Sequence, residues 1–443
     1  MSQRPADVFD RLSSTAQPVI ATRSIRRAIV LGGSVAGLLA ARVLADHADE
    51  VVIVERDDLD GERHGVPQRF QVHTLLPGGR AQIERWFPGF TKEAVGLGAV
   101  LSQPHQVEAW ADDVRTVQTP NAVLLSESRP FLETLLRRRT LALENVHPRH
   151  GNATGLRFHH GRVTAVRVGD RELTTDFVVD AMGRASRLSD WLAEDGWERP
   201  ELERMRIDVN YATAYFRRLE QDPPVGASIS RFSPHYPKRT QAAAVGVEDM
   251  RWMLMLTTYG DDRVRPELGD FLSRCADLPP LFREIARQEP VSEVRTYHQA
   301  DARRRRFDRL TRFPAGLVSV GDAVASFNPI YGQGMSSAAL HASCLSEHLC
   351  GHPTPFFQLQ KVVVDAAWQL STSADAQRLE TSPPPLPVRL QRALFHQVLS
   401  AAFVDTRIGT AFTDVEFMNT HPSTLATPSI LLRSLLVNLR RPR

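Results

Sequence analysis

The stretch AIVLGGSVAGLLAARVL, residues 28–44, limits the fold more than any other part of the chain. Its first residues form a short apolar run that suits a buried parallel strand. Gly32, Gly33 and Gly37 then fall at a turn, and Leu38 to Leu44 supply a compact apolar helix. Strand, glycine turn and helix in that order make the corner of a dinucleotide-binding βαβ unit. The glycines allow a tight turn and close approach to a pyrophosphate, and the helix N-terminus offers free N–H groups and the positive end of its dipole. The usual G-x-G-x-x-G spacing has glycine where this chain has Ser34. Serine is small, can donate a hydrogen bond to phosphate, and needs only a negative φ here, so the departure is expected to cost little.

A second buried strand, EVVIVERDD (50–58), ends in Glu55 and Arg56. Glu55 lies eighteen residues beyond Gly37, an offset that suits an acid accepting hydrogen bonds from a ribose. Between 205 and 260 the pattern changes to period two, as in IDVNYATAYFRR and MRWMLMLTTYGDD, which predicts half-buried strands of a different sheet. From 314 the α/β pattern returns, and the proline-rich TSPPPLPVRL (381–390) marks a boundary before a helical C-terminal segment. The predicted architecture is α/β: a Rossmann-like nucleotide domain (25–85, 128–195 and 297–375), interrupted by a mixed β-sheet substrate domain (86–127 and 196–296), then a C-terminal helical segment (383–443). Residues 1–24 read as a loosely ordered extension.

Bulk properties remove several classes. With 443 residues, 42% of them hydrophobic, the chain can bury a sizeable core, and a net charge of +3 gives no basic field for nucleic acid. Of the 54 basic residues only Lys92, Lys238 and Lys361 are lysine. The run Arg303–Arg306 lacks aromatic interleaving and reads as a solvated charged face. Cys275, Cys344 and Cys350 have no metal-ligand spacing, which fits a reduced cytoplasmic setting, and no apolar stretch reaches the ~18 residues of a membrane span. The histidines at 147, 150, 159 and 160 lack helical spacing, so no metal is expected. The absence of a G-x-S-x-G elbow disfavours a hydrolase.

Two further glycine turns follow buried strands: Asp180-Ala181-Met182-Gly183, and Gly321-Asp322 with Pro329, Gly332, Gly334 and Met335 opening a long helix. In this order the three turns resemble the para-hydroxybenzoate-hydroxylase-like FAD-dependent monooxygenases. The stretches GVPQ, SRPFLE, DAMGRASRL and GDAVASFNPIYGQGMSSAAL resemble the bacterial polyether-epoxidase branch, with squalene epoxidase a more distant relative. The resemblance implies that Gly32–Gly37 receives the FAD pyrophosphate, that Glu55, with Arg56 beside it, binds the adenosine ribose, and that Arg63 and Arg129 lie near the phosphates or flavin. It further implies that Asp180 and Gly183 lie near the pyrophosphate, that Asp322 (after Gly321) holds the ribityl chain, and that Pro329–Met335 faces the pyrimidine edge of the flavin.

It also implies oxygen transfer from a flavin hydroperoxide to a small apolar organic substrate, using O2 and electrons from NAD(P)H or a partner reductase. Such chemistry belongs mostly to the cofactor, which matches the lack of an acid–base dyad in the sequence, and no catalytic side chain is assigned. Alkene epoxidation needs no base and is the expected mode. Aromatic hydroxylation, a flavin-dependent double-bond reductase and a non-catalytic flavin-binding partner are the alternatives. The W-x-W-x-I-P stretch of flavin-dependent halogenases is absent.

Overall fold

The computed structural model describes residues 4–17, 23–57, 70–232, 236, 239–352, 354–379 and 384–440. Its nucleotide-type core is a five-stranded parallel sheet in the order Leu317–Ser319, Phe177–Asp180, Ile25–Leu31, Ala48–Glu55, Val146–His150. Ile29, Val30, Val51, Val178 and Val179 are fully buried, as strands covered on both faces require. Helices Val35–Ala45 and Gln333–Leu349 pack against each other beside this sheet. Gly32, Glu55, Asp180 and Gly321 all stand at or just past the carboxyl ends of their strands, which brings distant sequence segments to one rim.

The second large sheet has eight strands, ordered Ala325–Ser326, Arg295–Arg305, Leu202–Arg217, Arg251–Tyr259, Gln241–Val247, Ala227–Arg231, Val107–Ala111, Val114–Arg115. It is mixed, because Ala227–Arg231 runs parallel to Val107–Ala111 while its other neighbours are antiparallel. The expected period-two pattern sorts its faces. Trp252, Leu254 and Leu256 pack with Phe216 beneath the helices Leu268–Cys275 and Pro280–Ile285, whereas Met253 and Met255 point to the opposite face. Over that opposite face lie the C-terminal helices Leu386–Ala402 and Thr406–Glu416, and the last helix, Pro428–Leu439, packs on them.

Two expectations need correction. The N-terminal segment is not a loose extension: Pro5–Leu12 is a helix that buries Val8, Phe9 and Leu12 in the main core and joins Arg11 to Glu347 at 2.9 Å. The arginine run is not a solvated face either. Arg303 pairs with Asp301, Arg304 with Glu203 and Asp365, and Arg306 with Glu203 and Asp308, while Arg305 donates to the carbonyls of Ala323, Arg184 and Ser186. Alternation along the last strand residues sends neighbouring guanidinium groups to different partners, so the run ties the eight-stranded sheet to the turns at the nucleotide rim. Composition alone could not reveal this, because besides the flanking Asp301 and Asp308 the partners come from four separate segments, at Glu203, Arg184–Ser186, Ala323 and Asp365.

Candidate active site

The glycine turn is built by steric necessity. Gly32 adopts φ +105°, and a Cβ there would lie 2.5 Å from the Ala181 carbonyl oxygen. A Cβ on Gly37 would lie 1.9 Å from the carbonyl oxygen of Gly32, so the helix can start this close to the turn only with glycine. Ser34 has φ −90° and ψ −174°, ordinary extended backbone, which explains why a serine is tolerated. Its hydroxyl donates to Glu133 and accepts from Arg129 Nη2 at 3.1 Å, and Arg129 Nε donates to Glu133 at 2.9 Å. The serine thus fastens the helix Arg129–Leu141 to the turn, and no side chain caps the helix Val35–Ala45. That helix also has no acid in its first turn, leaving its N-terminus suited to an anion.

Buried Glu55 accepts from the Gly33 N–H at 2.7 Å and, through its other oxygen, from the backbone N–H groups of Arg56 and Asp57. It therefore stands against the loop as the spacing predicts. Arg56 turns outward and lies 3.8 Å from Asp57. Arg63 and the GVPQ stretch lie outside the described residues. His73, which the sequence did not single out, is held by a 2.6 Å bond from Nδ1 to the Gln71 carbonyl. Burial and the nearby Arg129 charge push it down to about 4, so it is a neutral ring beside the Arg129–Glu133 pair.

At the second and third turns the two aspartates differ. Asp180 is fully buried and accepts from Ser186 Oγ at 2.6 Å, Ser319 Oγ at 3.0 Å and the Met182 N–H at 3.1 Å. Its carboxylate locks the Gly183 turn (φ +70°) to the strand that leads into Gly321, and spends its oxygens inside the protein. Asp322 has no hydrogen-bond partner among the described residues, and burial raises its carboxyl while Arg129 and Arg184 pull it down. A half-buried acid facing two cations without a partner fits a hydroxylated ligand chain. The turn that carries it is fixed by His341, whose Nδ1 accepts from the Gly321 N–H at 2.9 Å and whose burial drives it down to about 3.

The loop after it is equally constrained. Asn328 caps the turn Pro329–Tyr331, accepts from Tyr211 Oη at 3.2 Å, and donates to both oxygens of Asp375 at 3.0 and 3.1 Å. Gly332 (φ +67°) then opens the helix Gln333–Leu349, on which Gly334 faces open space and Met335 is buried. An uncapped helix N-terminus, Arg129, Glu55 and the unpartnered Asp322 thus lie along one rim, a donor and acceptor set whose chemistry suits a dinucleotide cofactor.

Beyond Pro329–Gly332 opens a cavity of about 1230 Å³. Its sheet side includes Val107, Trp110, Ile229, Phe232 and Met255, and its helical side includes Phe395, Leu399, Phe403, Phe412 and Phe417. The strand Leu202–Arg217 reaches this wall through Glu203, Arg204 and Met205 and the strand Arg251–Tyr259 through Met255 and Tyr259, while Trp252, Leu254 and Leu256 pack into the core. Polar and charged side chains also line the cavity, among them Arg204, Arg231, Tyr259, Tyr331, Arg378 and Glu416. Arg231 is paired with Glu416, whereas Arg378 donates to the Phe232 carbonyl at 2.8 Å and stacks 4.4 Å from the Tyr259 ring, with no carboxylate at ion-pair distance among the described residues.

Against this geometry, Protein Rv3254 of Mycobacterium tuberculosis is 33% identical over 417 residues, spanning 85% of this chain and 86% of its own. The chain belongs to the Rv3254 family. No family model matches it. Among solved structures, the flavin-dependent brominase Bmp2 aligns with a TM-score of 0.64 at 15% identity, over 94% of this chain and 99% of its own. The p-nitrophenol 4-monooxygenase PnpA from Pseudomonas putida DLL-E4 aligns at 0.63 and 17% identity, over 90% and 100%. At such identities the likeness is one of fold, and this Rv3254-family chain has the mixed α/β fold of the FAD-dependent monooxygenases. No described helix is long and apolar enough to cross a membrane.

Proposed function

We propose that the chain is an FAD-dependent monooxygenase that places one oxygen atom from O2 on a large apolar substrate. The observation that carries this is the meeting of two features at Pro329–Gly332: the rim of nucleotide turns, with Asp322 unpartnered, and the 1230 Å³ cavity. FAD when bound supplies electron storage and oxygen activation. The chain's own residues bind and orient it through Arg129, Glu55, Asp322 and the backbone of the Gly32–Gly37 and Gly332–Met335 turns. The aromatic roof from Phe395 to Phe417 excludes water from the substrate.

Epoxidation of an alkene, the mode expected from the resemblance, requires no charged group near the substrate. The guanidinium of Arg378, stacked on Tyr259 in the cavity wall, is what a ring hydroxylation uses, because a cation stabilises an ionised substrate oxygen and makes the ring more electron-rich. This observation favours hydroxylation of an apolar substrate bearing an acidic oxygen, such as a phenol or enol, and leaves epoxidation as the second reading. Halogenation is disfavoured: Lys361 pairs with Asp365, Lys92 lies on the helix Phe90–Gly96, and neither is on the cavity wall, while Lys238 lies outside the described residues.

The test is anaerobic mixing of FAD-loaded protein with NADPH while the visible flavin band is followed. Bleaching marks NADPH as the direct reductant; a persistent band that bleaches on adding a flavin reductase marks a partner. Air and candidate phenols or alkenes then follow, with mass spectrometry for one added oxygen. Failure to bind FAD sinks the proposal.

A further inference from the structure

The helices Leu386–Ala402 and Pro428–Leu439 run antiparallel: Asp405, just past the first, pairs with Arg433, and Gln397 on the first accepts from Asn438 on the second. They bury Val398, Ala401 and Ala402 inward against Ile430, Leu431 and Val437. Outward they present Leu386, Leu390, Leu394, Leu432, Leu435, Leu436 and Leu439, between 46% and 72% exposed. Scattered exposed leucines are ordinary, but seven on one helix pair are not. The antiparallel register sets Leu439 beside Leu394, with Leu390 and Leu386 continuing the first helix past the end of the second, so the exposed leucines carry on from one helix to the other.

Charge decides what covers it. From 386 to 402 and from 428 to 440 the sequence holds Arg389, Arg392, Arg433 and Arg440 and not one Asp or Glu. Asp405 neutralises Arg433, while Arg389 and Arg440 are exposed and have no ion pair among the described residues. A second copy docked through this face would bring cation against cation. An anionic lipid surface complements it: apolar side chains enter the headgroup–acyl boundary and the arginines meet phosphates, the arrangement of an interfacial helix that lies on a membrane and does not span it. The helix Leu386–Ala402 also lines the cavity with Phe395 and Leu399 on its other side. The surface and the apolar cavity thus share one wall.

We infer that the leucine face of the two C-terminal helices docks on the surface of an anionic bilayer, so that apolar substrate reaches the cavity from lipid. The docking itself rests on the exposed side chains and charges, and stands or falls independently of the oxygenase reading.

The experiment is sedimentation of FAD-loaded full-length protein with vesicles of phosphatidylcholine alone or with one-third phosphatidylglycerol, at low and high salt. Binding to the anionic vesicles that weakens at least several-fold in high salt is expected. Leu390→Ser/Leu394→Ser/Leu436→Ser should reduce that binding about tenfold while FAD affinity and melting temperature stay unchanged, since these side chains contact neither the core nor the cavity wall. Arg389→Gln/Arg440→Gln should remove the preference for anionic lipid. Absence of vesicle binding overturns the inference, as does binding that the serine variant retains. A dimer by light scattering that the serine variant converts to monomer also overturns it, and assigns the face to a second copy.

Discussion

At the residue scale the nucleotide rim depends on single atoms that cannot be replaced. Gly37→Ala forces a methyl group to within 1.9 Å of the Gly32 carbonyl, so the turn must open; FAD affinity measured by fluorescence titration should fall at least a hundredfold. Gly269→Ala, in a helix where nothing lies within 4 Å, should leave it unchanged. Asp322→Asn removes a charged acceptor without changing shape, and about tenfold weaker FAD binding is expected, since a hydrogen bond to a charged group contributes roughly 1.5–3 kcal/mol. His341 adds a pH test. Its folded value near 3 lies below the ordinary 6.5, so the unfolded chain binds the proton first and stability falls as pH drops below about 6.5. In chemical unfolding between pH 6 and 4, His341→Phe should show an acid slope shallower by about 1.4 kcal/mol per pH unit. The glycines and Glu55 were legible in the sequence because strand, turn and helix are contiguous there. His341 was not, because its acceptor role for Gly321 exists only once a helix twenty residues further on has packed back against the turn.

At the element scale, the loop from Asn328 to Gly332 is held between the helix Phe356–Leu379, through Asp375, and the strand Leu202–Arg217, through Tyr211. Burial raises Asp375 to about 6 against an ordinary value near 4, despite the Asn328 bonds and the charge of Arg378. The sign is opposite to that of His341. The folded state holds this proton more tightly, so the stabilisation is full below about pH 4 and is lost as pH rises through about 6. Asp375→Asn should remove that component: the stability of wild type relative to the variant should decline by roughly 3 kcal/mol between pH 4 and 7 in chemical unfolding. Helix and strand patterns were readable from periodicity here, yet the tie was not, since Asn328 and Asp375 are 47 residues apart and each looks ordinary in its own element. The same reason misdirected the reading of Arg303–Arg306. A run of like charges signals solvent only when its partners lie nearby in sequence, and Glu203 and Asp365 do not.

At the scale of the whole molecule, the division of labour follows from two sheets meeting at one loop. The parallel sheet gathers the nucleotide turns at its carboxyl rim, and the eight-stranded sheet supplies a flat apolar wall that needs a roof. The sequence showed both sheets, but the roof read only as a helical tail. Its apolar residues alternate between cavity and outer surface in a way that no single helical face reveals. Phe395 and Phe412 stand 6.1 Å apart in that roof. If the roof excludes water from the oxygenation site, truncating both rings to alanine opens a solvent path while leaving the nucleotide rim intact. The measurement is a single turnover: protein reduced anaerobically with dithionite, mixed with oxygenated buffer and an accepted substrate, with product and hydrogen peroxide both counted. Phe395→Ala/Phe412→Ala should bind FAD as wild type does yet divert at least several-fold more of the consumed oxygen to peroxide. An unchanged product-to-peroxide ratio would show that water exclusion is set at the flavin-side loop and not by the C-terminal helices.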